Sequence, residues 1–386
     1  MTQATGTIAA PDSQRQAAGL PLALSLYLDL VRFLAALCVF ITHAKYPRFT
    51  DGWLDSVGRY GSDAVMIFFV LSGLVIAHVT QTKERDIETY AVARLARLWS
   101  VALPALLLSF VADSVGRRLY PPIYDGPWYQ GDHAALRLLA NAVFQGQSWF
   151  ANLLPFTNTP YWSLGYEFWY YVIFAAGHFL NGPVRWAVLA LCCALCGPKI
   201  LLLLPIWLLG VGVYHFARTR QIPVQLGWLL WIGSFVAYAL YQSLGLPGYL
   251  LWRTVQWLGK PFVIDQLVWS KDFFGNYVVG LLVAANFVGF WRICGTFGPL
   301  LQRFQRPIQF LAGFTFSVYL FHMPLLHFFG ALIQHDAASP TSQTFILLST
   351  LVGVLLLGLV TEQKKSVARR WITVIFHWSV PRHARR

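Results

Sequence analysis

The chain has 386 residues, of which 57% are hydrophobic and only 12% charged, with a mean hydropathy of +0.54. Soluble domains carry about twice that share of charge, so the composition excludes an ordinary soluble enzyme and indicates a polytopic membrane protein. The net charge of +13 falls in short loops and a tail, where the positive-inside rule expects it, and gives no support to nucleic-acid binding.

In chain order, residues 1–20 are small and polar and are expected to form a disordered cytoplasmic tail. No basic segment leads into a short apolar core with a cleavage site, so the first helix is expected to be a retained signal anchor. Ten apolar runs follow, near 22–44, 61–80, 95–112, 161–180, 185–198, 200–217, 226–244, 276–292, 308–330 and 343–362. None alternates apolar and polar residues as a barrel strand would. The expected fold is therefore all-α: a transmembrane helical bundle of about ten spans filling 21–362, with a basic cytoplasmic tail over 363–386. Two shorter apolar stretches, 135–150 and 247–258, are expected to be interfacial or re-entrant. Cys38, Cys192, Cys193, Cys196 and Cys294 lack metal-site spacing and read as packed helix residues.

With the N-terminus in the cytoplasm, 18 Lys and Arg fall on the inner side, 10 on the outer side, and Arg32 lies within the membrane. This bias predicts that both termini are cytoplasmic and the number of spans is even. The outer loops 113–160 and 245–275 are long and rich in Trp, Tyr, Gly and Pro, and loops of that kind often carry function.

Five constellations carry possible chemistry. Arg32 and His43 share the first span, eleven positions apart. Eleven steps of about 100° return a helix to nearly the same azimuth, about 16 Å further along its axis. A charge inside a membrane is a functional hypothesis by default, although Asp29, three residues before Arg32, is placed to pair with it. Arg94 and Arg97 are three apart at the start of the third span and share a face suited to phosphates or to lipid headgroups. Gly61-Ser62-Asp63 opens the second span. Ser72-Gly73 within that span reads first as a close-packing point, and Asp63 would approach His43 if the first two spans form a hairpin. Tyr161 to Tyr170 (YWSLGYEFWY) sets Glu167 one turn inside the fourth span, where a carboxyl is costly unless paired or functional. Trp162, Ser163 and Tyr170 around it suit either a sugar-binding surface or an interfacial belt. In Ser317-Val318-Tyr319-Leu320-Phe321-His322-Met323-Pro324, His322 lies mid-span, and the proline frees a backbone carbonyl.

Together these pieces resemble the acyltransferase 3 family of membrane O-acyltransferases, from about Leu26 to Val360. The carriers are Arg-x10-His (Arg32, His43), FFVLSG (Phe68 to Gly73), RxxR (Arg94, Arg97), WSLxxE (Trp162 to Glu167) and SxYLxHxP (Ser317 to Pro324). One departure is the small-polar Gly-Val-Asp pattern common before the FF pair. Ala64-Val65-Met66 stands there instead, with Asp63 displaced. The chain is expected to be a stand-alone ten-span member in a bacterial inner membrane.

The resemblance implies a cytoplasmic acyl-CoA donor, usually acetyl-CoA, and an acceptor hydroxyl on a cell-envelope glycan or an exported small molecule. No metal is expected. The mechanism expected on this basis has Arg94 and Arg97 hold CoA phosphates and Arg32 steer the donor. His43 is the expected general base, because its ordinary pKa lies near neutrality. Glu167 is expected to orient His43 or the sugar, and Asp63, Trp162, Ser163, Tyr170, Ser317, Tyr319 and His322 to shape the substrate cavity. Transfer is either direct or through an acyl-enzyme. A transporter or flippase for a glycan or acyl donor is the rival reading, since intramembrane charge suits it equally. A structural envelope subunit is a third.

Overall fold

The computed structural model describes residues 19–379. Among them the backbone is helical apart from connecting loops and one isolated bridge between Gln130 and Phe156. The helices are α1 (Leu22–Ala44), α2 (Pro47–Thr50), α3 (Gly61–Thr82), α4 (Ile87–Leu119), α5 (Ala134–Ala142), α6 (Trp162–Phe179), α7 (Gly182–Cys196) and α8 (Pro198–Thr219). They continue with α9 (Val224–Ser243), α10 (Leu246–Leu258), α11 (Phe273–Arg303), α12 (Gln305–Ala312), α13 (Thr315–Leu332), α14 (Pro340–Val360) and α15 (Lys365–Ser379).

Eight of these are long and apolar enough to cross a membrane: α1, α3, α4, α8, α9, α11, α13 and α14 with the turn that follows it. The two other expected spans are also helical. α6 has 18 residues, but Glu167 and a run of Trp and Tyr lower its hydropathy, and α7 has only 15. The count of ten therefore becomes eight full spans and two shorter or more polar helices. α4 begins eight residues earlier than its apolar run because the Asp86 side chain accepts from Thr89 N at 2.8 Å and caps it. The run near 308–330 is split at Gly313 and Phe314 into α12 and α13.

The stretch near 135–150 forms α5 and then a partly buried irregular segment. Phe144, Trp149 and Phe156 there have positive φ. Nonhelical backbone survives inside a bundle only if its polar groups find partners. Here Asp113 accepts from Thr157 N at 2.8 Å and Oγ1 at 2.9 Å, and Asn158 Nδ2 donates to Ser109 Oγ at 3.1 Å and the Leu320 carbonyl at 2.9 Å. The other short run, α10, buries only Thr254 and exposes Trp252 and Trp257, as an interfacial helix would.

α3 and α8 cross at their glycines. A Cβ on Gly73 would stand 2.0 Å from the Trp207 carbonyl oxygen, and one on Gly210 would stand 1.9 Å from that of Val70. Small residues let helix backbones touch in this way. The expected N-terminal tail lies outside the described residues up to position 18. Of the expected C-terminal tail, α15 instead packs on α4, with Ile372 against Val92 and Ala96, and 380–386 lie outside the described residues.

Candidate active site

Two levels of chemistry are strung along α1. At the lower level a cavity of about 170 Å³ opens between α1, α3, α4, α6, α13 and the Glu362 turn. Arg32 and Arg97 supply its positive charge, and Glu167 and Glu362 its negative charge. Arg32 Nη2 donates to Asp29 Oδ1 at 2.6 Å, one turn back on the same helix, as the i,i+3 spacing predicts. Its Nε is buried without a partner, so the site holds a spare donor beside open space.

Glu167 accepts from Ser72 Oγ at 3.0 Å and from the Tyr171 hydroxyl. Trp207 Nε1 donates to the same Ser72 Oγ at 3.1 Å. Ser72 therefore orients a carboxylate while its neighbour Gly73 does the close packing. Ser163 and Tyr319 also line the cavity, with their hydroxyl oxygens 2.8 Å apart. Glu362 enters from the end of α14. It accepts from Ser317 N and Oγ, both at 2.9 Å, and from Phe316 N at 3.3 Å. These are free donors of the first turn of α13, where a carboxylate also meets the positive end of the helix dipole.

At the upper level His43 Nδ1 lies 2.9 Å from His322 Nε2, and His322 Nδ1 lies 2.7 Å from the Val318 carbonyl. A carbonyl only accepts, so His322 carries its proton on Nδ1. Its Nε2 must then accept from His43 Nδ1–H. The relay leaves the lone pair of His43 on Nε2, free to take a proton. Phe40 stands edge-on to His322, with ring centres 5.9 Å apart. Phe68 and Tyr319, with ring centres 5.6 Å apart, line the lower cavity.

The other sequence-predicted residues fall elsewhere. Arg94 does not share a ligand face with Arg97. Its Nη2 donates to Glu84 Oε1 at 2.5 Å, both side chains are only 11% exposed, and the guanidinium lies between the Tyr90 and Tyr171 rings. Asp63 does not meet His43, although α1 and α3 do pack together. It accepts from Tyr238 at 2.6 Å and Gln242 at 2.8 Å on α9. Glu167 does not orient His43, because His322 holds that place. Trp162 stacks on Trp269 with ring centres 5.2 Å apart, and Tyr170 is fully buried, donating to the Ile200 carbonyl at 3.0 Å. Neither lines the cavity, nor does Ser317, which is spent on Glu362.

The acyltransferase domain family matches residues 25–359, nearly the whole chain. The chain belongs to the acyltransferase 3 family. It is also 30% identical over 151 residues to the acyltransferase MdmB of Streptomyces mycarofaciens. That match spans 37% of this chain and 36% of MdmB, so just over a third of that relative's length is covered. No solved structure matches the chain. The chain is thus a multi-pass helical member of that family, and both levels lie within the matched segment except Glu362, three residues beyond it.

Three participants in this site were not legible in the sequence. Of the two that hold Glu167, Ser72 reads in sequence as a packing point, and Tyr171 lies one residue past the aromatic run Tyr161 to Tyr170. Glu362 carried a signal: it is an isolated acid at the end of an apolar run, just before a basic segment.

Proposed function

We propose that this acyltransferase moves an acetyl group from cytoplasmic acetyl-CoA to a hydroxyl of a glycan or small molecule on the outer side of a bacterial inner membrane. In this reading both termini are cytoplasmic. One observation supports it most: Arg32 and His43 lie on one unbroken helix, with a charged cavity at the first and a basic imidazole nitrogen at the second.

Drug-sized ligands occupy cavities of about 300–1,000 Å³. The Arg32 cavity is smaller, so it would enclose the acylated arm of the donor and leave the nucleotide end at the mouth. Arg97 would face donor phosphates. The spare Arg32 Nε suits an oxygen of the arm. His43 Nε2 would take the acceptor proton as the acceptor oxygen bonds to the acyl carbonyl carbon. The carbon–sulfur bond then breaks, and the proton passes from His43 to the departing thiolate. His322 holds His43 in the required tautomer, so it is a positioning residue. Among the described residues the hydrogen-bond partner of His43 is His322, not a serine or cysteine, which favours direct transfer.

The test is alkali-labile acetate on envelope glycans and in culture medium. A strain lacking the chain would be complemented with wild type, Arg32→Ala or His43→Ala at equal membrane levels. Ester restored by wild type and by neither variant is expected. Full rescue by His43→Ala would remove the general base assigned here, and ester independent of the chain would sink the acceptor class.

A further inference from the structure

Beyond His43, on the side away from Arg32, lies a cluster that the acyl-transfer steps above do not use. The Tyr46 ring stands edge-on to His43 at 5.7 Å. The Arg48 guanidinium lies over three rings: Tyr46 at 4.6 Å, Phe49 at 5.0 Å and Trp128 at 3.9 Å. Trp128 in turn faces His327, with ring centres 4.8 Å apart, and Tyr124 faces His327 at 5.4 Å. The α1–α3 connection with α2, the α4–α5 connection and α13 therefore meet at one spot next to the base.

Three polar atoms of this cluster are buried with no hydrogen-bond partner: Arg48 Nε, His327 Nε2 and the Tyr124 hydroxyl. Buried polar atoms are normally satisfied, so three unsatisfied ones together point to a ligand that satisfies them. Their chemistry is complementary. His327 Nδ1 donates to the Met323 carbonyl at 2.9 Å, which fixes Nε2 as an acceptor. Arg48 Nε can only donate, and the Tyr124 hydroxyl can do either. Among the described residues no carboxylate forms an ion pair with Arg48. Burial pushes its pKa down to about 10, so it remains charged at neutral pH. The scaffold is fixed: Thr50 Oγ1 donates to the Ala44 carbonyl at 2.8 Å, and His335 Nε2 donates to the Phe49 carbonyl at 2.8 Å.

We propose that Arg48, Trp128, Tyr124 and His327 form the acceptor subsite beside His43, built for a hydroxyl-bearing ring that carries a carboxylate or a phosphate. The inference rests on the reading of His43 as the base. Trp128 is half-buried, and the indole surface that Arg48 and His327 leave uncovered packs against the ring. Its anionic group meets Arg48, which offers a charge-assisted, planar donor fork. One hydroxyl donates to His327 Nε2, and another is left toward His43.

The experiment uses the full chain in lipid nanodiscs and measures binding of methyl glucoside, methyl glucuronide, glucose 6-phosphate and acetyl-CoA. Wild type should bind one of the two anionic sugars about ten-fold or more tighter than the neutral one. Which of the two wins separates a carboxylate acceptor from a phosphate acceptor. Arg48→Gln should erase the preference, Arg48→Lys should keep part of it, and Trp128→Ala should weaken all three sugars alike. Arg32→Gln should lose acetyl-CoA and keep the sugar preference. Equal binding of the three sugars by wild type, no sugar binding at all, or an unchanged preference in Arg48→Gln would each overturn the proposal. A sugar preference without any acetyl-CoA binding would instead overturn the donor reading and leave the subsite standing.

Discussion

His43 and His322, 279 positions apart in the chain, share one hydrogen bond of 2.9 Å, and the Val318 carbonyl fixes its direction. Which nitrogen of His43 keeps its lone pair is thereby chosen by a residue on another helix. Proton transfer by a positioned side chain contributes about 10²–10⁴-fold to rate. His43→Ala should lose a factor in that range. His322→Ala should lose less, about 10–100-fold, the scale seen when an orienting partner of a histidine is removed. The distinguishing readout is kcat against pH. His322→Ala should fall mainly in kcat, with the KM for donor unchanged and the acid limb displaced. An unshifted profile with normal kcat would leave His322 a packing residue.

Arg94 and Arg97 are three residues apart and should behave differently. Removing one member of a buried ion pair costs about 3–5 kcal/mol, so Arg94→Ala should lower thermal stability sharply by stranding Glu84. The double replacement Arg94→Met with Glu84→Leu should recover most of it. Arg97→Ala should leave stability nearly unchanged and raise the donor KM about ten-fold, as loss of one charge-assisted contact would. Thermal melts and donor titrations on the three variants decide this. The reverse assignment of effects would refute it.

The glycine crossing makes a prediction about stability alone. Gly73→Ala and Gly210→Ala place a methyl about 2 Å from a backbone oxygen, where real carbon atoms are not found. Relieving the clash requires α3 and α8 to move apart, and overpacking of this sort costs about 1–3 kcal/mol. A methyl added to Gly177, on α6, would meet nothing within 4 Å. Gly177→Ala should therefore be neutral or stabilising by up to about 1 kcal/mol through helix propensity. Melting temperatures in detergent test the contrast.

His335 gives a pH dependence outside the spans. Burial holds its imidazole below the ordinary value of 6.5. The neutral ring donates from Nε2 to the Phe49 carbonyl and accepts at Nδ1 from Ser342 Oγ at 2.6 Å. With the folded pKa depressed, the unfolded chain takes up its proton first as pH falls. The contribution of His335 is thus full above 6.5 and declines as pH drops from 6.5 toward the folded value. The melting temperature should fall between pH 7.5 and 5.5, and His335→Gln should show a shallower fall over that interval. An identical slope in the variant would remove His335 as the cause.

Much of the site was legible one helix at a time. The Arg32–Asp29 pair, the shared stripe of Arg32 and His43, and the cost of placing Glu167 in a span all follow from helical periodicity and desolvation. The residues that were misread are those whose partners lie on another element. Arg94 answers to Glu84 in the turn before α4, Asp63 to Tyr238 and Gln242 on α9, and Tyr170 to a backbone carbonyl of α8.

The sequence by itself determined a helical membrane bundle, because long apolar runs with few charges have no other stable form in lipid. It also determined the azimuth and depth of each charged residue on its own helix, because 3.6 residues per turn leave no freedom in that. The tertiary structure decided which faces meet: that His322 holds His43, that Ser72 and Tyr171 hold Glu167, and that Glu362 caps α13. Periodicity fixes how a residue is presented within its helix, but its partner depends on side-chain packing between helices distant in sequence, which no local pattern encodes.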